Sequence, residues 1–336
     1  MRVLVAGGAG YIGSHAVRAL LRAGHEVTVF DNLSTGHAGA VPKEAPFVRG
    51  DILSPRDLKK LFSRRGFDVL MHFAAKTAVG ESVSDPELYY RENVAGSLSL
   101  FGAARAAGVG GVIFSSSAAT YGTPRQTPIR EDAPLCPVSP YGRTKRMMEE
   151  ILADFASAYG LGSVSLRYFN AAGAEPDGSI GEDHEPETHL IPRVLAAARD
   201  GGSVPVYGTD YPTADGTAVR DYIHVTDLAE AHVLAMRALE PGKAKVFNLG
   251  NGRGFSVREV IETARRVTGR DVRVEESPRR PGDPPVLVAS SELFQSQVGW
   301  RPAFAELGAI VETAWKWHLA HPRGFGDRAA RARHRR

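Results

Sequence analysis

The stretch Arg2-Val3-Leu4-Val5-Ala6-Gly7-Gly8-Ala9-Gly10-Tyr11-Ile12-Gly13 decides the fold class. It opens with a short apolar run bounded by glycine, which is typical of a buried parallel strand. Glycines at positions 7, 10 and 13 allow the backbone to turn tightly and to approach a pyrophosphate. The pattern predicts a helix from about Tyr11 through Ala23, whose N-terminus would meet the pyrophosphate charge. The spacing differs from the commonest dinucleotide fingerprint, so the surrounding elements have to support this interpretation.

A second strand follows the predicted helix and supplies that support. Residues Glu26 to Phe30 alternate as a strand, and Asp31 stands at its end. An acidic side chain there can accept both ribose hydroxyls and would repel a 2'-phosphate, which selects NAD over NADP. The alternative interpretation is a structural glycine-rich turn in which Asp31 caps a helix or a turn.

The alternation of strands and helices continues along the chain. A strand is predicted over Pro46 to Ile52, a helix over Ser54 to Phe62 and a strand over Asp68 to Phe73, as in a doubly wound sheet. Ligands lie at the carboxyl ends of strands in such sheets. Asp51 and Ile52, and then Phe73-Ala74-Ala75, stand just past such ends and could flank the adenine and the phosphates.

The expected architecture is α/β, a Rossmann-type doubly wound parallel sheet with a smaller C-terminal α/β substrate lobe. We expect residues 1–175 to form the NAD-binding domain with returns from about 220–250, residues 176–325 the smaller lobe, and residues 326–336 a disordered basic tail. A long helix from about Pro86 to Ala107 and the helix that begins at Ser139 could form a homodimer face.

Composition excludes several classes of protein. The chain has 336 residues and a net charge of +3, with much of the positive excess in Arg328 to Arg336. That tail lacks interleaved aromatics, so no nucleic-acid partner is expected. The apolar runs are too short for a membrane span, and a strand begins directly at the N-terminus, so we expect a cytoplasmic protein. Cys136 is the single cysteine and is interpreted as a filler residue.

The chemistry is placed in Ser139-Pro140-Tyr141-Gly142-Arg143-Thr144-Lys145. Ser139 can cap a helix and Pro140 suits its first position, so Tyr141 and Lys145 lie on one helix face. An ammonium beside the phenol would lower the pKa of Tyr141 and make it a base near neutral pH. The alternative is a half-buried tyrosine beside a solvated lysine. The hydroxyls of Ser115-Ser116-Ser117, after the predicted strand Gly111 to Phe114, can be mere turn formers, or one of them could hydrogen-bond the same substrate oxygen.

These segments together resemble the extended short-chain dehydrogenase/reductase family, most closely its UDP-glucose 4-epimerase branch. The shared residues, over residues 1 to about 325, are Gly7 to Gly13, Asp31-Asn32-Leu33, His72 to Ala75, Val79 to Ser82, Ser115-Ser116-Ser117, Tyr141 to Lys145, Arg167 to Asn170, Tyr207 to Thr213, Asp215 to Thr217, Val219 to Val225, Asn248 to Gly250, Arg279-Arg280 and Gly282-Asp283. The resemblance implies interconversion of UDP-galactose and UDP-glucose, with transient oxidation of C4 to a 4-keto sugar, rotation of the sugar and return of the hydride.

The resemblance also implies a role for each matching residue. Tyr141 matches the catalytic base, Lys145 the lysine that holds the nicotinamide ribose, and Ser117 the serine on the sugar 4-hydroxyl. The positions matching NAD contacts are Gly7, Gly10, Tyr11, Ile12, Gly13, Asp31, Asn32, Asp51, Ile52, Phe73, Ala74, Ala75, Asn93, Tyr141, Lys145 and Phe169. The positions matching UDP-sugar contacts are Ser117, Tyr141, Asn170, Leu190, Tyr207, Arg220, Arg280, Asp283 and Leu287. Arg220 and Arg280 would hold the diphosphate in bidentate forks, and Asp283 the uridine ribose.

Two positions depart from the family pattern. Thr77 stands where a cofactor-binding lysine is usual, and Lys76 precedes it. Leu287 occupies a place where some members carry a tyrosine that closes the sugar pocket, so N-acetylated UDP-sugars are a hypothesis for this chain. Glu182, Asp183, His184, Glu185 and His189 have metal-binding side chains, but their segment is interrupted by proline and has no helical spacing, so no metal is expected.

Other functions share parts of this sequence pattern. A 4,6-dehydratase would carry an acid and a base just after the position of Ser117, where this chain has Ala118 and Ala119. A UDP-glucuronate or UDP-xylose epimerase is a nearer alternative. A non-catalytic NAD sensor would share the glycine loop but need not keep Ser117, Tyr141 and Lys145 together.

Overall fold

A computed structural model describes residues 1–63, 66–280 and 282–327. The strands are β1 (Arg2–Ala6), β2 (Glu26–Asp31), β3 (Phe47–Arg49), β4 (Val69–His72), β5 (Gly111–Ser115), β6 (Gly162–Arg167), β7 (Asn170–Ala172), β8 (Ser203–Tyr207), β9 (Val219–His224), β10 (Ala244–Asn248), β11 (Gly254–Ser256), β12 (Arg273–Ser277) and β13 (Val286–Leu287). The helices are α1 (Tyr11–Arg22), α2 (Pro55–Phe62), α3 (Val79–Ser84), α4 (Pro86–Tyr89), α5 (Gly96–Ala106), α6 (Pro140–Tyr159), α7 (Leu190–Asp200), α8 (Val225–Ala235), α9 (Val257–Thr268), α10 (Glu292–Val298) and α11 (Leu307–Ala320).

A seven-stranded sheet organises the larger part of the molecule, in the order β10-β6-β5-β4-β1-β2-β3. Every neighbouring pair in it runs parallel. The chain builds outward from β1 through β2 and β3 on one side and through β4, β5 and β6 on the other. The reversal of strand order therefore opens a crevice between β1 and β4 at the carboxyl ends of the strands, where ligands bind in doubly wound sheets. The predicted α/β fold class is confirmed.

Both faces of this sheet are covered by helices, which explains the apolar composition of its strands. In β1, Val3 and Val5 pack into a core cluster that includes residues of α1 and α8. Leu4 and Ala6, which point to the opposite face, join a second cluster with residues of α2, α5 and α6. Because successive side chains of a strand alternate between faces, a sheet buried on both sides requires this continuous run.

A second layer of structure follows residue 170. Strands β7, β9, β11 and β13 form a four-stranded sheet, and β8 pairs with β12. Helices α7, α9 and α11 share one apolar cluster with this region. The chain then returns to the larger sheet, because β10 pairs with β6, while α8 packs on the core beside α1. The strand β9, in contrast, belongs to the smaller sheet. The division of the chain into lobes at residue 175 stays a prediction.

Two long elements predicted from the sequence differ from the structure. The first is a helix that is not continuous, and the second is a strand whose bounds were wrong. The helix expected from Pro86 to Ala107 is divided into α4, a π-helical turn over Tyr90–Ala95, and α5. The strand expected over 46–52 is reduced to β3, which lies at the sheet edge and pairs only with β2. Short edge strands are common because an exposed edge invites pairing with other chains.

The predicted basic tail lies largely outside the described residues. Its first residues are described, and the Asp327 carboxylate Oδ1 contacts His37 Nδ1 at 2.8 Å. Within the described part of the chain, no helix has both the length and the apolar character that a membrane crossing requires.

Buried histidines are expected to make the fold sensitive to acid. Burial lowers the pKa of His15 and His72 to about 3, and that of His224 and His232 to about 4. An unfolded histidine has a pKa of about 6.5, so below that pH the unfolded chain binds more protons than the folded one. Stability therefore falls as the pH falls, by about 1.4 kcal/mol per pH unit for each histidine between pH ~6 and ~4.

Urea unfolding across this pH range measures that slope. We expect His232→Leu to reduce the slope of the unfolding free energy against pH by the contribution of one histidine, since the ring of His232 is fully buried. Equal slopes for the native protein and the variant would contradict the assignment.

Candidate active site

The glycine loop between β1 and α1 is packed so tightly that larger residues do not fit. Gly7 has a φ of 81°, and a Cβ atom there would lie 2.4 Å from the Ala74 backbone nitrogen. A Cβ atom on Gly13 would lie 2.1 Å from the Gly7 carbonyl oxygen. The nearest atom to a Cβ on Gly10 would be 3.4 Å away. The loop therefore brings the start of α1 directly against the end of β1, as the sequence predicted.

The N-terminus of α1 is suited to an anion. Its N-cap residue is Gly10, which has no side chain to accept from the amides of the first turn, and that turn carries no acidic residue. The exposed N–H groups and the positive end of the helix dipole favour a phosphate. These residues fit the pyrophosphate of a dinucleotide.

Asp31 lies at the carboxyl end of β2, beside this loop, and its side chain is buried. Its Oδ2 accepts from the Ala9 amide at 3.0 Å, and its Oδ1 accepts from the Leu33 amide at 2.8 Å. The turn-capping role considered as an alternative is thus present. Each carboxylate oxygen has a second lone pair, so capping and ribose binding are compatible. Next to it, Asn32 Nδ2 donates to Asp51 Oδ2 at 3.0 Å, which joins the ends of β2 and β3.

The predicted catalytic residues come together at the carboxyl end of β5. Ser139 caps α6 by accepting from the Gly142 amide at 3.1 Å, with Pro140 in the first helical position. This start directs Tyr141 towards the strand end, where the Ser117 hydroxyl lies near enough to lower the pKa of the phenol. Lys145, one turn later, is buried on the same face. The predicted proximity of these three side chains is what the structure shows.

The expected effect of Lys145 on Tyr141 was wrong. Burial raises the pKa of Tyr141 above its ordinary value, and the nearby Ser117 hydroxyl offsets this only in part. The Lys145 Nζ atom donates to the Ser115 carbonyl at 2.8 Å and lies 5.9 Å from the Tyr141 ring centroid. Burial also lowers the pKa of Lys145 to about 7, against the opposing charge of Glu149. Helical spacing placed the two side chains together but could not reveal where the amine would bind.

A second group of predicted residues lies on the smaller lobe. Arg220, on β9, forms an ion pair with Asp283, and its side chain is only 14% exposed. The Arg280 guanidinium stacks over the Tyr207 ring at 4.1 Å from the centroid. Both arginines are thus held by a neighbour, and Asp283, predicted to bind a ribose, contacts Arg220 in this state.

The remaining predicted residues of the substrate and cofactor sites lie in the smaller sheet, at the start of α7 and beside the loop that follows β5. Asn170 Nδ2 donates to the Asp221 carbonyl at 3.0 Å, which ties β7 to β9. Phe169 and Leu287 both pack, partly buried, against a small cluster that contains Ala118. Leu190 is the first residue of α7.

The comparisons with known proteins agree with this geometry. The family model for the NAD dependent epimerase/dehydratase family matches residues 3–250. The chain belongs to the NAD dependent epimerase/dehydratase family. Among its relatives is a UDP-glucose 4-epimerase of Lacticaseibacillus casei, 51% identical over 330 residues that cover 98% of this chain and 100% of the relative.

Solved structures of the NAD dependent epimerase/dehydratase family are also similar. The UDP-glucose 4-epimerase from Brucella ovis in complex with NAD superposes with a TM-score of 0.89 at 49% identity, covering 94% of this chain and 97% of that one. The UDP-glucose 4-epimerase from Bifidobacterium longum in complex with NAD+ and UDP gives 0.92 at 36% identity, covering 97% and 100%.

In this epimerase/dehydratase family member, a buried ion pair holds Ser116, the neighbour of the predicted site residue Ser117, and sequence reasoning missed it. Arg167, at the end of β6, donates to both carboxylate oxygens of Glu149, at 2.9 and 2.5 Å. Glu149 also accepts from Ser116 at 2.5 Å, and Arg167 donates to the Tyr121 hydroxyl at 2.9 Å. The available signal was Glu149, which stands four residues after Lys145 on the same helix face.

Asn93 was predicted to contact the cofactor, but the structure buries it completely. Its Nδ2 donates to the Lys76 carbonyl at 3.0 Å and to Thr144 Oγ1 at 3.1 Å, and its Oδ1 accepts from the Lys76 amide at 2.7 Å. Asn93 therefore fixes the loop at Lys76 against α6. Ile52 likewise packs in the core beside α2. The predicted contacts of Asn93 and Ile52 with the cofactor stay predictions.

The segment before α7 has no helix, as predicted, yet it gathers metal-binding side chains that the absence of a helical spacing did not lead us to expect. Glu182, His184, Glu187 and His189 bring one ligand-type atom each to within 4.8 Å of one another, although their segment lacks a helical repeat. Against the effect of burial, the neighbouring carboxylates of Glu182 and Glu187 raise the pKa of His184 to about 10. A loop that folds back on itself can gather side chains that no regular period brings together.

Proposed function

We propose that the protein interconverts UDP-galactose and UDP-glucose by NAD-dependent epimerisation at C4 of the sugar. The observation that carries this proposal is the convergence of Ser117, Tyr141 and the buried Lys145 at the carboxyl end of β5, on the same side of the sheet as the glycine loop. Full-length similarity to UDP-glucose 4-epimerases supports the reaction class.

Tyr141 is assigned as the base that takes the proton of the sugar 4-hydroxyl. Ser117 binds the same oxygen and holds it in line with the phenol. When bound, NAD supplies a reversible hydride acceptor at C4 and a positive charge that favours the phenolate. After the 4-keto sugar has rotated, Tyr141 returns its proton to the C4 oxygen while the hydride would be given back to the opposite face of C4, so the configuration at C4 is inverted. Lys145, anchored on the Ser115 carbonyl, is assigned to the nicotinamide ribose.

The NAD contacts proposed from the sequence follow the same crevice. The glycine loop and the start of α1 bind the pyrophosphate, and Asp31 accepts from the adenosine ribose. The further residues proposed to line the cofactor are Asn32, Asp51, Phe73, Ala74, Ala75 and Phe169.

The UDP part is proposed to be held by Arg220 and Arg280 on the diphosphate, with Asp283 on the uridine ribose. Anchoring the nucleotide leaves the sugar free to rotate, and the remote binding energy positions C4 at the base. Because Arg220 pairs with Asp283 in this state, nucleotide binding exchanges that ion pair for contacts with phosphate and ribose.

Adjacent arginines provide a matched test of the diphosphate contact. We expect Arg280→Met to raise the KM for UDP-galactose by about 10- to 100-fold, the value of a hydrogen bond to a charged group. Arg279→Met is the control, because the Arg279 guanidinium bonds to Asp210 instead. Equal KM values for the two variants would remove Arg280 from the diphosphate site.

The experiment that tests the proposed function is incubation of the purified protein with UDP-galactose, first with no added NAD. Formation of UDP-glucose, followed by chromatography, is expected and would show that the cofactor is retained and regenerated. No product even after NAD is supplied would overturn the proposal and favour a different UDP-sugar or a non-catalytic NAD sensor.

N-acetylated UDP-sugars are a second candidate substrate class, and Leu287 is the observation that favours them. Leucine is shorter than tyrosine, and its side chain packs with Phe169 near the end of β5. We expect Leu287→Tyr to reduce the turnover of UDP-N-acetylgalactosamine relative to UDP-galactose by about 10-fold, as overpacking excludes the acetamido group. An unchanged ratio of the two rates would remove this candidate.

We also propose a cytoplasmic homodimer. Exposed apolar side chains lie on neighbouring helices: Val83 of α3 is 65% exposed, Leu98 of α5 is 46% exposed and Met147 of α6 is 39% exposed. A second copy of the chain would cover them in a symmetric interface. A monomeric mass by light scattering would contradict the dimer.

A further inference from the structure

We propose that Glu182, His184, Glu187 and His189 form a structural site for a divalent metal ion of the zinc type. All four belong to the segment that leads into α7, and the proposal is independent of the proposed catalytic function. Two imidazole nitrogens and two carboxylate oxygens are a donor set that zinc accepts.

The distances between the candidate ligand atoms fit a single ion. Tetrahedral zinc with bonds of ~2.0 to 2.2 Å separates its ligands by about 3.3 Å. His184 Nδ1 lies 3.1 Å from Glu182 Oε1 and 3.7 Å from Glu187 Oε2. His189 Nδ1 lies 2.5 Å from Glu182 Oε1 and 3.5 Å from Glu187 Oε1. Three of these separations lie near the tetrahedral edge, with Glu187 offering either oxygen, and the 2.5 Å contact between His189 and Glu182 would have to lengthen when an ion binds.

The orientation of His184 gives an independent observation. Its Nδ1 atom is buried, and among the described residues no group forms a hydrogen bond of normal geometry with it, although Glu182 Oε1 is near. A buried ring nitrogen without such a partner is costly. A metal ion bound by both His184 Nδ1 and Glu182 Oε1 would explain this arrangement.

The surroundings of the cluster hold its ligands in place. Both Thr188 and His189 donate their backbone N–H groups to Glu187 Oε1 at 2.7 Å. The Glu182 carbonyl accepts from Trp317 Nε1 at 3.1 Å, which fixes the backbone of the first ligand. Such outer contacts orient metal ligands in known sites. The Glu182 side chain is 4% exposed, whereas that of His189 is 48% exposed, which leaves an entry path for the ion.

The charge of the cluster also matches a dication. With neutral imidazoles, the two carboxylates carry two negative charges, which one divalent ion neutralises. Two protons on the histidines would neutralise the same charge, so a protonated ion-pair network is the competing outcome. The His184 ring lies edge-on to the Tyr11 ring, with centroids 6.3 Å apart, so the ion would fasten the segment beside the start of α1.

The test measures metal content in tag-free protein, because a polyhistidine tag would itself bind zinc. The chelator-treated protein is equilibrated with excess ZnCl2 at mildly alkaline pH, desalted and analysed by mass spectrometry of the metal. We expect about one zinc per chain, and about a tenth of that or less in His184→Ala. His25→Ala, at a histidine that follows α1, is the matched control and should keep the full content.

Two further measurements test the proposal even if His184→Ala folds poorly. Zinc should raise the Tm of the native protein by about 3 °C, as for any ligand that binds only the folded state. Cobalt in place of zinc should give the strong visible absorption of a tetrahedral site. Absence of bound zinc in the native protein, equal zinc in a folded His184→Ala variant, or the weak absorption of octahedral cobalt would each overturn the proposal.

Discussion

Replacing Tyr141 with phenylalanine is expected to lower the turnover number for UDP-galactose by about 10³-fold, within the range of general acid–base catalysis. The variant keeps the ring that fills the space beside α6 and loses only the hydroxyl. Ser117 would still bind the sugar oxygen, but no group in hydrogen-bond reach could carry the proton away. The KM should change little, because the diphosphate arginines hold the nucleotide.

Tyr159→Phe is the matched control for this prediction. Tyr159 stands at the other end of α6 with 57% of its side chain exposed, so its variant should retain full turnover. Rates are to be compared at equal content of bound NAD, measured by absorbance after denaturation. A Tyr141→Phe variant with more than about a tenth of the native turnover would assign the proton transfer to another group.

Replacing Glu149 with glutamine is expected to reduce the free energy of unfolding by about 3 kcal/mol or more, because it leaves a buried guanidinium without its counter-charge. The side chains of Arg167 and Glu149 are 4% and 7% exposed, so water cannot replace the lost partner. Turnover should fall as well, since Glu149 also holds Ser116, the neighbour of catalytic Ser117.

A double variant separates two contributions to the free energy of unfolding. One is the cost of leaving Arg167 unpaired, and the other is the net contribution of the ion pair between Arg167 and Glu149. In Glu149→Leu/Arg167→Met both charges are removed, and apolar pairs of similar volume often match a buried ion pair in stability. Urea unfolding should therefore show the double variant to be more stable than Glu149→Gln. A single variant as stable as the native protein would mean that Arg167 is solvated or paired elsewhere.

Most of the larger sheet could be predicted from the sequence because its signals are local. The apolar run of β1, the glycines and the Ser139-Pro140 start of α6 each act within a few residues. The break in the helix after Pro86 could not be predicted in this way. Its π-helical turn accompanies the insertion of Asn93 into the Lys76 loop, a contact between residues seventeen positions apart.

Site residues were predictable where chemistry and spacing agreed, as for Tyr141 and Lys145. The direction of the Lys145 amine, the burial that raises the pKa of Tyr141 and the Arg167 partner of Glu149 depend on tertiary packing. Helical period does not carry that information. The same limit explains why the residues that converge around Glu182 were expected to stay apart.

The position of β10 has a consequence for how the protein is made. Its partner β6 ends at Arg167, whereas β10 ends at Asn248, so a ribosome must add about eighty more residues before that edge of the sheet is covered. During this interval β6, paired with β5 on one side, presents its other edge unpaired, a template for pairing with other chains. The seven-stranded sheet can therefore be completed only after the residues between β6 and β10 have been synthesised.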